Sequence, residues 1–206
     1  LGSLQKKPGM LLCAATGNSP AGIYKKLAER KNEMQTSALR VVKLDEWCGI
    51  SMDDPQSCEQ YIQKNIIGPL NISADRYFGF NTNPSDPEKE ADRIKKKLDA
   101  EGPIDVCILG LGLNGHIAFN EPAEFLDPRC HVASLSEKSL QHKMALGMKK
   151  KPSYGLTLGM TDIMLSKTII MIVTGENKKD IAARFLSGKI TTALPASFLW
   201  IHQDVH

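Results

Sequence analysis

The sequence predicts an α/β fold: a doubly wound, mostly parallel sheet with helices on both faces, a Rossmann-like architecture in one domain over residues 1–206. Three observations carry that expectation. The apolar runs, such as Met10–Ala15 and Thr168–Val173, are short and unbroken rather than alternating, as in strands buried on both faces. Helical patterns with capping signals separate the runs, which implies parallel crossovers. Glycine or polar clusters follow three of them, and doubly wound folds bind ligands at such strand ends.

The elements follow in order. Met10–Ala15 is the first strand; Ser19-Pro20 then reads as an N-cap and first helical position, opening a helix to about Arg30. Arg40–Leu44 is the next strand, and Ser57-x-x-Gln60 is a capping box for a helix ending near Gly68-Pro69. Ser85-x-x-Glu88 opens a highly charged helix with Ala91, Ile94 and Leu98 on one apolar stripe. Asp105–Leu109 is the strongest strand signal. Val132–Leu135, a helix from Ser136, Tyr154–Leu158 and Thr168–Val173 come next. A helix from about Asn177 to Leu186 and a short one from Pro195 through Trp200 complete the pattern.

Composition narrows the function classes. An apolar share of 42% excludes disorder, and 26 basic against 23 acidic residues leave +3, too mild to call for nucleic acid or a membrane surface. No apolar run approaches the roughly 18 residues of a membrane span. The five cysteines are odd in number and lack C-x-x-C spacing, which argues against a disulfide framework or zinc site and for a reduced, cytoplasmic setting. No histidine pair has metal-ligand spacing, so a metal site has little support. His131, His142, His202 and His206 are the weaker histidines, and Lys95–Lys97 and Lys149–Lys151 read as solvated faces. Trp47 and Trp200 read as packing anchors.

The strand ends hold the chemistry. Thr16-Gly17-Asn18-Ser19-Pro20 joins a strand to a helix N-terminus, where free N–H groups and the helix dipole make an anion cradle. Ser19 either adds a hydroxyl donor there or only caps the helix. Asp45-Glu46 follows the second strand and offers a general base, a helix cap or a loop carboxylate; Lys43 is a strand-face cation. Lys178 opens a helix after Thr174-Gly175, where its cation can lean toward a ligand.

Gly110-x-Gly112-x-x-Gly115 matches a dinucleotide-binding pattern, with Glu137 in place of the ribose-binding acid. Pro122 excludes that assignment, because the pattern needs an unbroken helix starting in the glycines. His116 and Glu121 instead face each other across an irregular loop. A carboxylate on one imidazole nitrogen fixes the tautomer and leaves the other for proton transfer.

Taken together, Thr16–Pro20, Leu44-Asp45-Glu46-Trp47 and the run Leu109–Pro122 containing Asn114-Gly115-His116 and Glu121 resemble the glucosamine-6-phosphate deaminase/isomerase family. Leu156–Gly159 and Val173–Lys178 extend the resemblance over nearly the whole chain. Asp-Glu-Trp, Asn-Gly-His and Thr192–Trp200 are most similar to its galactosamine-6-phosphate branch. The resemblance implies that fold type and a cofactor-free conversion of galactosamine 6-phosphate to tagatose 6-phosphate plus ammonia, in amino-sugar catabolism. By motif, His116 assists ring opening with Glu121 behind it, Asp45 moves a proton between C2 and C1, and Thr16, Gly17, Asn18, Ser19 and Lys178 hold the phosphate.

Two departures stand out. Glucosamine enzymes usually read Asp-Gly-His where this chain has Asn114, so Asn114 is expected to position the sugar rather than titrate. The family's phosphate-binding Arg has no counterpart in Ser136–Met148, where Lys143 is the candidate substitute. The family pattern also has a helix before the first strand and a strand after the last helix, and the chain is expected to fall short of both. The alternatives are glucosamine 6-phosphate as substrate, then a 6-phosphogluconolactonase, then a non-catalytic sugar-phosphate sensor. Trp47 and Phe119-Asn120-Glu121-Pro122 point away from the lactonase, whose members typically have Arg after Asp-Glu and Ser-Leu-Phe-Pro after the histidine. Oligomeric state is left open.

Overall fold

The unbroken apolar runs pair into a five-stranded parallel sheet, seen in a computed structural model that describes residues 2–33 and 36–206. The strands are β1 (Leu11–Ala14), β2 (Arg40–Lys43), β3 (Asp45–Cys48), β4 (Tyr77–Phe78), β5 (Val106–Gly110), β6 (His131–Ala133), β7 (Tyr154–Thr157) and β8 (Thr168–Ile172). The sheet order is β4-β2-β1-β5-β8, with Cys13 opposite both Val42 and Cys107. From β1 the chain builds outward first through β2 and β4, then on the other side through β5 and β8. The order therefore reverses between β1 and β5, and a crevice opens there at the carboxyl ends.

The helices are α1 (Gly2–Lys6), α2 (Asn18–Glu29), α3 (Cys58–Ile62), α4 (Gly68–Leu70), α5 (Pro87–Glu101), α6 (Glu137–Leu140), α7 (Lys143–Gly147), α8 (Met160–Met164) and α9 (Lys179–Leu186). A π-helical turn at Gln63–Ile67 joins α3 to α4. Alternation along the strands sends Leu12, Ala14, Val41 and Ile108 into one core with Tyr24, Ile62 and Ile66. It sends Leu11, Cys13, Val42 and Leu109 into the other, with Ile94 and Leu98 of α5. Both faces are covered, as a parallel sheet requires.

Several details differ from the sequence-based expectation. Gly17, not Ser19, is the N-cap of α2, because its backbone at φ 98° turns the chain into the helix two residues early. Asp86, not Ser85, caps α5: its carboxylate accepts from the Lys89 N–H at 3.1 Å, and Pro87 starts the helix. Asp45–Cys48 is a strand rather than a loop; it pairs antiparallel with β7, and β7 with β6, in a second, three-stranded sheet. The segment from Pro195 is a 3-10 helix through Ile201. A helix, α1, does precede β1, and Val205 bridges to Ile169 in parallel. All five cysteines are free, and no described helix is long and apolar enough to cross a membrane.

Behind β3 lies a buried ion-pair network. Lys43 and Glu46 are both fully buried, with Nζ to Oε2 at 2.6 Å. Lys43 also reaches Glu59 Oε2 at 2.7 Å, where the Tyr77 hydroxyl donates at 2.7 Å. The Glu46 carboxylate accepts the N–H groups of Trp47, Cys58 and Glu59 at 2.9, 2.9 and 2.8 Å, fixing the start of α3 against β3. Burial opposes the Lys43 charge, but the two carboxylates outweigh it and hold the ammonium form. Removing one partner strands the other charge. Lys43→Met is expected to lower folding stability by about 3–5 kcal/mol in urea unfolding. A midpoint equal to that of the parent protein would contradict this account of the network.

Candidate active site

The crevice is a cleft of about 490 Å³ between the ends of β1, β3, β5 and β8 and the α6–α7 segment. One end is built for an anion. Gly17 directs the first amides of α2 into it, and the Gly17 carbonyl is pinned by the Tyr61 hydroxyl at 2.6 Å. Ser19 is free of capping and its Oγ lies 3.2 Å from Thr174 Oγ1, so the two hydroxyls form one polar edge. Lys178 donates from Nζ to the Leu111 carbonyl, and burial lowers its pKa below the usual lysine range. Thr16, Asn18 and Lys143 also line the cleft.

Asp45 opens β3, and the two-residue period of a strand sends its side chain to the cleft while Glu46 points back to Lys43. Among the described residues its carboxylate has one side-chain donor, the Cys58 thiol, at 3.9 Å from Oδ1. Burial raises the Asp45 pKa first, the neighbouring Glu46 charge adds to it, and Lys43 and Cys58 offset part, leaving it at about 7. A carboxyl so placed exchanges protons at neutral pH.

Across the cleft, His116 sits directly over Gly112, where any Cβ would collide with its ring. Gly115 turns the loop at φ 95°, and Ala118 takes the left-handed region at φ 53°, a strained choice for a residue with a Cβ. Asn120 holds this turn through bonds from Nδ2 to the carbonyls of Ile117 and Leu158 at 3.0 and 2.9 Å. No helix follows the glycines before β6, in agreement with the exclusion of a dinucleotide site. The glycines make room for the imidazole instead.

The sequence-proposed His116–Glu121 pair forms, with Nδ1 3.2 Å from Oε2. Ser139 donates to Glu121 Oε1 and lies 3.3 Å from His116 Nδ1. Burial would raise the Glu121 pKa, but the bonds and charge from His116, with Ser139 and Asn114, outweigh it and hold it at about 2. Asn114 does not line the cleft: Nδ2 donates to Glu121 at 2.6 Å and to Ser136 at 3.3 Å, and Oδ1 accepts the His116 N–H at 3.2 Å. Both ends of its amide are therefore engaged by the protein, beside the His116–Glu121 pair.

Four neighbours enter the site that the sequence reading did not place there. Cys58 and Ser139 bond to Asp45 and Glu121, while Trp47 and His142 wall the cleft. Trp47 is buried as expected, yet its ring also stacks on His142 at 6.3 Å and 25° and meets Phe119 edge-on at 4.5 Å. Trp200, 48% exposed, packs its ring 5.6 Å from that of Phe185 and donates Nε1 to the Phe185 carbonyl, at the rim of the core.

The family described as glucosamine-6-phosphate isomerases/6-phosphogluconolactonase matches residues 3–206. The chain belongs to this family. Among its members, AgaI of Escherichia coli (strain K12), provisionally named a deaminase, is 38% identical over 99% of this chain and 82% of its own length. A glucosamine-6-phosphate deaminase of Clostridium beijerinckii is 35% identical over 98% of this chain and 85% of its own. The solved structure of a monomeric glucosamine-6-phosphate deaminase of the NagB superfamily superposes with a TM-score of 0.90 at 34% identity, covering 98% of this chain and 86% of that one. The 6-phosphogluconolactonase of Trypanosoma brucei, at 22% identity and a TM-score of 0.76 over 99% and 84% of the two chains, shares the fold alone.

Asp45 and Glu121 are thus driven to opposite sides of the carboxylate range. Because the folded-state pKa of Asp45 lies above its unfolded value, its contribution to stability is full below about pH 4 and is lost as pH rises to about 7. Asp45→Asn is therefore expected to be more stable than the parent at pH 8, by about 2–4 kcal/mol, with the gain vanishing near pH 4. Unfolding midpoints at the two pH values check this; a variant no more stable at pH 8 than its parent contradicts it.

Proposed function

We propose that this member of the family converts galactosamine 6-phosphate to tagatose 6-phosphate with release of ammonia. The observation that carries a deaminating isomerisation is the pairing of Asp45, at about 7, with the His116–Glu121 pair across a cleft ending in an anion cradle. With Nδ1 engaged by Glu121, the other His116 nitrogen is free to move a proton at the ring oxygen and open the sugar. Asp45 takes the proton from C2 and returns it to C1, while O1 gains a proton and the C2 amine loses one, leaving an imine at C2. Water hydrolyses that imine to the ketone and ammonia. The Gly17–Ser19 turn and Lys178, with Lys143 nearby, hold the phosphate in the same cleft. No step asks for a metal or an organic cofactor.

The galactosamine choice rests on Asn114-Gly115-His116 and on the likeness to AgaI. Glucosamine 6-phosphate is the second reading, favoured by the likeness to glucosamine-6-phosphate deaminases at 34–35% identity. Lactone hydrolysis is supported by fold alone. A sensor would have no use for a carboxyl tuned to neutral pH.

Ammonia release assayed side by side on the two epimers tests the proposal. A higher kcat/KM is expected on galactosamine 6-phosphate, and Asp45→Asn is expected to lower kcat by about a thousandfold. An equal or greater rate on the glucosamine epimer overturns the choice of substrate. Undiminished ammonia release by Asp45→Asn overturns the assignment of the base.

A further inference from the structure

His142 is the cleft residue with no part in this chemistry, yet its geometry is the most constrained. It is the N-cap of α7, and its Nδ1 accepts the Met144 N–H at 3.3 Å. In the neutral ring the proton therefore lies on Nε2. The Cε1–Nε2 edge is turned to the anion cradle, since a Cβ on Gly17 would stand 3.8 Å from both atoms. Stacking on Trp47 fixes the ring plane. Burial, then the charges of Lys178, His116 and Lys143, lower its pKa, so the ring remains neutral and Nε2 remains a donor.

We propose that His142 is a substrate-binding residue whose Nε2–H donates to the phosphoryl group held at the Gly17–Ser19 turn. The assignment rests on the sugar-phosphate reading above. It also answers a deficit in the sequence, because Ser136–Met148 has no arginine to bind that phosphate. Lys143 and Lys178 bring charge without fixed direction, whereas a stacked, capped imidazole brings direction without charge. Together they replace the two properties that a guanidinium combines.

The test separates the cap from the donor. Asparagine is a good N-cap acceptor, so His142→Asn keeps a partner for the Met144 N–H but cannot extend a donor into the cradle. Calorimetry with inorganic phosphate is expected to show His142→Asn binding about tenfold more weakly than the parent. KM for the amino-sugar phosphate is expected to rise by a similar factor, about tenfold, with a much smaller change in kcat and an unchanged melting temperature. His142→Ala, which loses the cap as well, is expected to add a drop in melting temperature. Phosphate affinity and KM both unchanged in His142→Asn overturn the proposal. If the parent turns over neither amino-sugar phosphate, the functional reading fails by itself, and the phosphate titration still decides the role of His142.

Discussion

The buried Lys43–Glu46 pair is the interaction on which the site depends. An ammonium and a carboxylate withdrawn from water lose several kcal/mol of hydration each, and their attraction roughly returns it. Their net contribution to stability is small. What the pair supplies is position. Glu46 collects three backbone N–H groups, and through them the end of β2, the start of β3 and the start of α3 become one rigid corner. Gly79 leaves room for the lysine stem, since a Cβ there would come within 2.8 Å of it. Asp45 occupies the outer side of that corner. Its orientation follows from strand geometry and its proton affinity from burial first, with the Glu46 charge beside it adding to that.

The switch in strand order divides the remaining labour. Both loops at the crevice are glycine-bearing, but their glycines serve different ends. Gly17 bends the backbone so that helix amides face a ligand. Gly112 vanishes under an imidazole so that a side chain can lie where backbone would otherwise be. Similar composition at two strand ends thus yields an anion cradle on one side and an oriented base on the other. The distance between them is set by the sheet, because β1 and β5 are adjacent partners.

Much of this was legible in the residues. β1 and β5 announce themselves because burial on both faces leaves little room for a polar residue, and β8 reads the same way by its apolar run, although as an edge strand it is mostly half-buried. β3 does not, because it is a charged tetrapeptide, Asp45–Cys48, whose burial makes sense only once Lys43 is seen beneath Glu46. Without β3 the second sheet had no partner and could not be inferred. Asp45, His116 and Glu121 were singled out by their place at strand ends, and the structure brings Asp45 and the His116–Glu121 pair together at one cleft. Ser139, Cys58 and His142 carried no such mark: they enter from segments whose approach to the cleft depends on tertiary packing. Asn114 was singled out by its motif, but sequence cannot show that both ends of its amide are engaged by Glu121, Ser136 and the His116 N–H.

The two carboxyls of the site clarify how one cleft can move protons at neutral pH. Each is buried, and burial alone would raise both. Glu121 escapes because it receives bonds from an imidazole, a hydroxyl and an amide, which together stabilise its charge. Asp45 is given only a thiol, whose own pKa burial pushes up, so that it remains a weak donor. A strong donor in place of Cys58 would favour the ionised carboxylate and draw Asp45 back toward an ordinary acid. The sparse solvation of Asp45 thus sets its pKa as much as the dense solvation of Glu121 sets the other. One carboxyl stays ionised beside the histidine, and the other stays near neutrality.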